Sequence, residues 1–158
     1  MSLYLLVIGV GNADRGDDAV GLLVARAVAG RRLPGVVVVE AGGDALGLLD
    51  IWHGAVGVVL IDAAAPAGRP GRIHRLDATS QALPRAVRLG SSHAFGLAEA
   101  VELARGLARL PPRLVVYAIE AEDCGIGAPL SAAVSAAAAR VAARVVSELI
   151  GQGAGADA

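Results

Sequence analysis

Apolar and polar residues alternate along this chain in blocks that predict strands and helices in turn. Most of the candidate strands are continuous Val, Leu and Ile runs, which are typical of parallel strands buried on both faces. One run alternates polar and apolar residues instead, as a half-exposed edge strand does, and it covers residues 71–77. The predicted strands are residues 3–9, 35–43, 55–63, 71–77 and 113–121.

The segments between these strands have helical periodicity. From Asp18 onward, apolar residues recur every three or four positions and form one stripe, and Gly30 follows where a C-cap is common. Asp44 is a suitable N-cap for a short helix, and Ser91 or Ser92 for a long one. The predicted helices are residues 18–29, 44–54, 91–110 and 129–150.

This order of elements predicts an α/β fold. We expect a three-layer α/β/α arrangement with a twisted, mostly parallel five-stranded sheet. The length of 158 residues fits one domain, which we assign to residues 1–150. The glycine-rich residues 151–158 are expected to form a disordered tail.

Composition and charge limit the classes of molecule that this protein is expected to bind. The formal net charge is −1 and no block of like charge stands out, which argues against nucleic acid or an anionic membrane surface. The first apolar run is too short to span a bilayer and lacks a basic segment before it, so we expect a cytoplasmic protein. The single cysteine, Cys124, excludes an intrachain disulfide and a cysteine-based metal site.

The turn after the first strand, "GVGNADRGDDAVG" (9–21), is glycine-rich but acidic. In a dinucleotide-binding turn the third glycine would fall at Asp14, and the acids beyond it would repel a pyrophosphate. The chain also has no lysine, so a phosphate-loop lysine is missing. The turn is therefore suited to a cation or to acid–base chemistry.

In an open α/β sheet, sites form outside the carboxyl ends of the strands. Asp17 and Asp18 follow the first strand, Asp62 ends the third, and His93 starts the long helix. We expect Asp17 to act as a helix N-cap, whereas Asp62, ending a buried strand, is the stronger candidate for a site. A histidine at a helix N-terminus favours the neutral imidazole that binds metals. Further acids follow the fifth strand: Glu120, Glu122 and Asp123.

Four segments of the chain together resemble the nickel-iron hydrogenase maturation endopeptidases. The resemblance covers roughly residues 3–150, and the set of motifs is more specific than any one of them. The segments are "GVGNADRGDDAVGLLVARAV", "VVLIDAA", "SSHAFGLAEAVELA" and, in the closing helix, "GIGAPLSAAV".

The resemblance implies a function and a site. Members of this family remove a short C-terminal peptide from the precursor of the hydrogenase large subunit after nickel insertion. Their nickel-contacting residues correspond to Asp18, Asp62 and His93 in this chain. Two carboxylates and one imidazole suit a borderline divalent ion, and three ligands leave positions open for a substrate. We therefore expect the nickel to arrive on the precursor. We also expect the protein to act as a monomer.

The sequence leaves the chemistry open. Asp18 and Asp62 could activate a water between them, as an aspartic-type protease does, or nickel could polarise the scissile carbonyl. A Cys124 nucleophile is disfavoured, because a lone cysteine beside a strand is usually a small core residue. The alternative function is a non-catalytic, nickel-dependent chaperone or checkpoint module for the same subunit.

Overall fold

A five-stranded sheet forms the centre of the structure. The computed structural model describes residues 3–42, 44–84, 87 and 96–156. The strands are β1 (Leu5–Val10), β2 (Val36–Ala41), β3 (Gly57–Ala64), β4 (Ile73–Asp77) and β5 (Leu114–Glu120). Their order across the sheet is β2-β1-β3-β5-β4, with β4 antiparallel to β5 and the other pairs parallel. The predicted mostly parallel sheet is confirmed.

Helices cover both faces of this sheet. A 3-10 turn (Gly16–Ala19) leads into the first α-helix. The α-helices are α1 (Val20–Ala29), α2 (Leu48–Ile51), α3 (Leu97–Gly106) and α4 (Ala132–Ala156). No helix in the described part of the chain is both long enough and apolar enough to cross a bilayer.

The strands bury alternate side chains in two separate cores. Val7, Val59 and Tyr117 pack with α1 and α4 on one face. Leu6 and Leu60, from the other side of the same strands, pack with α2 and α3. Strands β3 and β5 are buried at every residue, which explains why their sequences are apolar apart from Tyr117 and the two acids Asp62 and Glu120. The predicted three-layer fold is therefore confirmed.

Helix α1 lies almost in contact with the backbone of the sheet. A Cβ atom on Gly21 would overlap the carbonyl oxygens of Val10 and Ile61, and one on Gly9 would overlap the carbonyl oxygen of Gly21. These two glycines allow the helix to approach both β1 and β3. The turn before α1 is thereby held against β3.

The predicted helix ends differ from the observed ones for local reasons. Helix α3 ends at Gly106 and not near Leu110, because Ala108 adopts a left-handed conformation (φ 54°). The N–H of Arg109 then bonds back to the carbonyl of Ala104 at 2.8 Å, which closes the helix. The predicted caps Ser91 and Ser92 lie outside the described residues.

The last helix continues past the predicted boundary at residue 150. Helix α4 extends to Ala156, so the backbone of 151–156, which we assigned to a disordered tail, is helical. No proline interrupts this segment, and each glycine disfavours a helix by only about 1 kcal/mol relative to alanine.

The close packing of α1 gives a prediction about stability. Gly21→Ala should lower the free energy of unfolding by about 3 kcal/mol, because the added Cβ has backbone atoms and no movable side chain as its neighbours. Gly30→Ala is the matched control: its Cβ would lie 3.5 Å from the nearest atom, and its φ of −63° suits alanine. Urea unfolding of both variants measures the difference. Equal stability of the two would contradict this account of the packing.

Candidate functional site

Two aspartates are buried at the carboxyl end of the sheet. Asp62 is 1% exposed and lies in β3, which continues for two further residues to Ala64, so it is not the end of the strand that we predicted. Asp18 is 6% exposed and lies in the 3-10 turn that follows β1. Because β1 and β3 are adjacent, the fold brings these two acids to the same crevice.

The environment of Asp62 disfavours its charged form. Burial and, to a smaller extent, the negative charge of Asp18 together raise the pKa of Asp62 to about 8. One hydrogen bond opposes this rise, since the N–H of Ala63 donates to Asp62 Oδ1 at 2.8 Å. Asp62 therefore holds its proton at neutral pH. Neighbouring carboxyls that hold one proton can exchange it with a reacting group, and they can bind a divalent cation once that proton has left.

Asp18 is oriented by the glycine-rich turn itself. The backbone N–H of Asn12 donates to Asp18 Oδ2 at 3.0 Å. The side chain of Asn12 in turn accepts a hydrogen bond from the N–H of Asp14 at 2.9 Å. The acidic turn is thus folded around a carboxylate in place of a phosphate. Sequence reasoning missed Asn12, although it lies within the motif that we quoted.

Asp17 does not cap the first helix, so that prediction is wrong. Its side chain is fully buried and points to the loop between β5 and α4. Asp17 Oδ2 accepts hydrogen bonds from the N–H groups of Glu122 and Asp123 and from the hydroxyl of Ser131, and Oδ1 accepts one from the N–H of Ser131. The chain uses this acid to join two distant segments.

These hydrogen bonds keep Asp17 ionised. Burial alone would raise the pKa of Asp17, but the three backbone donors and the Ser131 hydroxyl outweigh burial and lower it. The environments of two buried acids thus act in opposite directions: the pKa of Asp17 is lowered, whereas the pKa of Asp62 is raised. Sequence reasoning missed the role of Ser131, for which the only signal was the closing-helix segment "GIGAPLSAAV".

The third predicted ligand, His93, lies outside the described residues. Within the part of the chain that the structure does describe, no three potential metal-binding side chains converge. The structure thus brings Asp18 and Asp62 together, and the position of His93 relative to them remains a prediction.

The acids after β5 have different environments. Glu120 is buried, and one of its carboxylate oxygens accepts a hydrogen bond from the N–H of Arg69. It therefore fixes the loop before β4, and it is not available to bind a substrate. Glu122 and Asp123 are exposed beside the crevice.

Cys124 is a poor nucleophile in this setting. Burial raises the pKa of its thiol, and the negative charges of Asp18, Asp17 and Asp123 raise it further, against the opposing effect of Arg15. A thiol that resists ionisation is weakly nucleophilic, in agreement with the view that Cys124 is not catalytic.

The raised pKa of Asp62 predicts a pH-dependent stability. Between its unfolded pKa near 3.8 and its folded pKa of about 8, the unfolded chain has lost this proton and the folded chain has kept it. Folding stability must then fall as pH rises through this range. Asp62→Asn removes the effect and keeps an oxygen for the Ala63 N–H, so the variant should be more stable by about 2 kcal/mol or more at pH 7.5.

Thermal unfolding at pH 4, 6 and 7.5 checks this prediction. Asp77→Asn is the control, and it should lower the stability at pH 7.5. The reason is that the hydrogen bond from the Thr79 backbone lowers the pKa of Asp77, so the ionised form of this side chain stabilises the fold. A lower melting temperature for Asp62→Asn than for the unaltered chain at pH 7.5 would contradict the assignment.

Comparison with solved structures supports the fold. The chain is similar to an endopeptidase from Escherichia coli, with a TM-score of 0.79 and 23% identity over 96% of this chain and 94% of that one. The hydrogenase maturating endopeptidase HybD from Escherichia coli matches with a TM-score of 0.75 and 23% identity over the same shares. The [NiFe] hydrogenase maturation protease HycI from Thermococcus kodakarensis matches with a TM-score of 0.70 and 23% identity over 92% of each chain.

The sequence profile of a protein family gives the assignment. Among curated proteins none matches the chain. The profile of HycI, the hydrogenase maturation protease, matches residues 23–148, which include Asp62 and begin after Asp18. Because this match covers most of the chain, the protein belongs to the hydrogenase maturation protease family and is a protease.

Proposed function

We propose that this protease removes a C-terminal peptide from the nickel-loaded precursor of a [NiFe] hydrogenase large subunit. Family membership supports the protease activity, and the names of the similar structures support a hydrogenase as its client. The observation that carries the proposal is the pair of buried acids, Asp18 and Asp62, at the carboxyl end of the sheet. Peptide hydrolysis requires groups that give and take protons, and this crevice supplies them.

The two carboxyls have complementary roles in the proposed reaction. The negative charge of Asp18 suits it to take a proton from the water that attacks the scissile carbonyl. Asp62, whose pKa is raised to about 8, loses its proton when it contacts nickel, because a carboxylate ligand is deprotonated, and that proton can pass to the carbonyl oxygen or the leaving amine.

Nickel enters as part of the substrate. A divalent cation that binds between two neighbouring acids displaces the proton of Asp62 and compensates the charge of both carboxylates, so the donor set fits such an ion. We propose Asp18, Asp62 and His93 as its contacts, with the precursor's own ligands completing the coordination. A precursor without nickel would lack these contacts, which makes metal loading a condition for cleavage.

The first test compares loaded and unloaded precursors. Nickel-loaded large-subunit precursor, incubated with the protein, should lose a C-terminal peptide that mass spectrometry detects. Nickel-free precursor should be cut at least about a hundredfold more slowly, because it lacks the docking contacts. Equal rates for the two substrates would contradict nickel recognition. No cleavage of either would favour the non-catalytic checkpoint module.

The second test addresses the site residues. Asp62→Ala and His93→Ala should each abolish detectable cleavage, since each removes a proposed nickel contact. His53→Ala is the matched control, because His53 is exposed and lies at the opposite end of β3 from Asp62, so cleavage should persist. Circular dichroism should show that Asp62→Ala is folded. Alanine removes the hydrogen bond from Ala63, but it also removes the unfavourable burial of an acid, and the two effects oppose each other. Normal processing by either variant would overturn its assignment.

A further inference from the structure

The side chain of Asp17 connects the acidic turn to the loop that starts α4. This loop covers residues 121–131 and lies between β5 and α4. Four hydrogen bonds to the Asp17 carboxylate come from it, and the N–H of Asp17 also donates to the carbonyl of Asp123 at 2.9 Å. The next residue in the chain is Asp18, so the tether acts one residue from the proposed site.

Neighbouring contacts reinforce this connection. Arg15 Nε donates to the carbonyl of Cys124 at 3.3 Å, and the N–H of Gly127 donates to the carbonyl of Asp14 at 2.8 Å. Both contacts join the same turn to the same loop. Only Asp17 uses a buried carboxylate, and its two oxygens accept from donors of three residues of the loop, so no neutral side chain of similar size replaces it.

We infer that Asp17 is a positioning residue: by bonding to the 121–131 loop it fixes the turn so that Asp18 faces Asp62. Asp17 does not itself touch the substrate in this account. The expected effect on cleavage rests on the proposed function. The expected effect on the placement of Asp18 rests on the hydrogen bonds alone. It also assigns a role to the closing-helix segment, because Ser131 supplies two of the four donors to the carboxylate.

Asp17→Asn is the informative variant, because the size is kept and one acceptor oxygen becomes an NH₂ group. In one orientation the NH₂ group faces the N–H of Ser131, and in the other it faces the N–H groups of Glu122 and Asp123. Either orientation brings two donors together. We expect kcat for the nickel-loaded precursor to fall about a hundredfold with KM within about twofold, since misplacement of a reacting group slows the chemical step. Ser131→Ala removes the hydroxyl alone and should have a smaller effect of the same kind.

A second readout requires no activity. Hydrogen exchange monitored by NMR should show faster exchange at the amides of Glu122, Asp123 and Ser131 in Asp17→Asn. The amide of Asn12, which donates to Asp18, should also lose protection, because it reports the placement of Asp18. Retained protection at Asn12 would overturn the inference even if the loop amides open.

The control is a variant that loses a hydrogen bond elsewhere. Tyr117→Phe removes the bond from Tyr117 to Glu148, which lies near the other end of α4. Its kcat should match that of the unaltered chain at a temperature where both variants are folded. An equal loss of kcat in Tyr117→Phe, or an unchanged kcat in Asp17→Asn, would overturn the inference. If the unaltered chain cuts no precursor, the proposed function fails, and the Asn12 amide still decides whether Asp17 positions Asp18.

Discussion

One constraint shapes this structure: two acidic side chains, Asp18 and Asp62, are buried next to each other. Placing Asp62 in a strand at 1% exposure, with the charge of Asp18 nearby, works against folding, because each effect raises the pKa of Asp62. A protein tolerates such a pair only if the surrounding backbone holds it in place. Here the support comes from two backbone N–H groups, of Asn12 and Ala63, and from the close packing of α1 on the sheet.

This arrangement accounts for the sequence of the opening turn. A strand-turn-helix unit usually presents free backbone N–H groups to an anionic ligand. In this chain the turn supplies its own anion, Asp18, and one of the N–H groups is taken up by it. The remaining property of the site is a pair of buried carboxyls, which suits the cation that we propose to arrive on the substrate.

The fold could be predicted from the sequence because each strand and helix has its own local signal. Asp62 was also predictable, since an acid among Val, Leu and Ile requires an explanation. The role of Asp17 was not, because its partner Ser131 lies 114 residues away and only tertiary structure brings them together. The end of α3 depends on the left-handed conformation of Ala108. Glycine is the residue that usually marks this conformation in a sequence, so an alanine does not predict it.

The long separation between Asp17 and Ser131 affects when the site can form. Contacts between segments far apart in the chain carry a large loop-closure entropy and form late in folding. During synthesis the acidic turn emerges first, whereas the start of α4 emerges only after the whole sheet. The growing polypeptide therefore has no anchored turn until the start of α4 has left the ribosome, so the turn that holds Asp18 is among the last parts of this fold to take its final form.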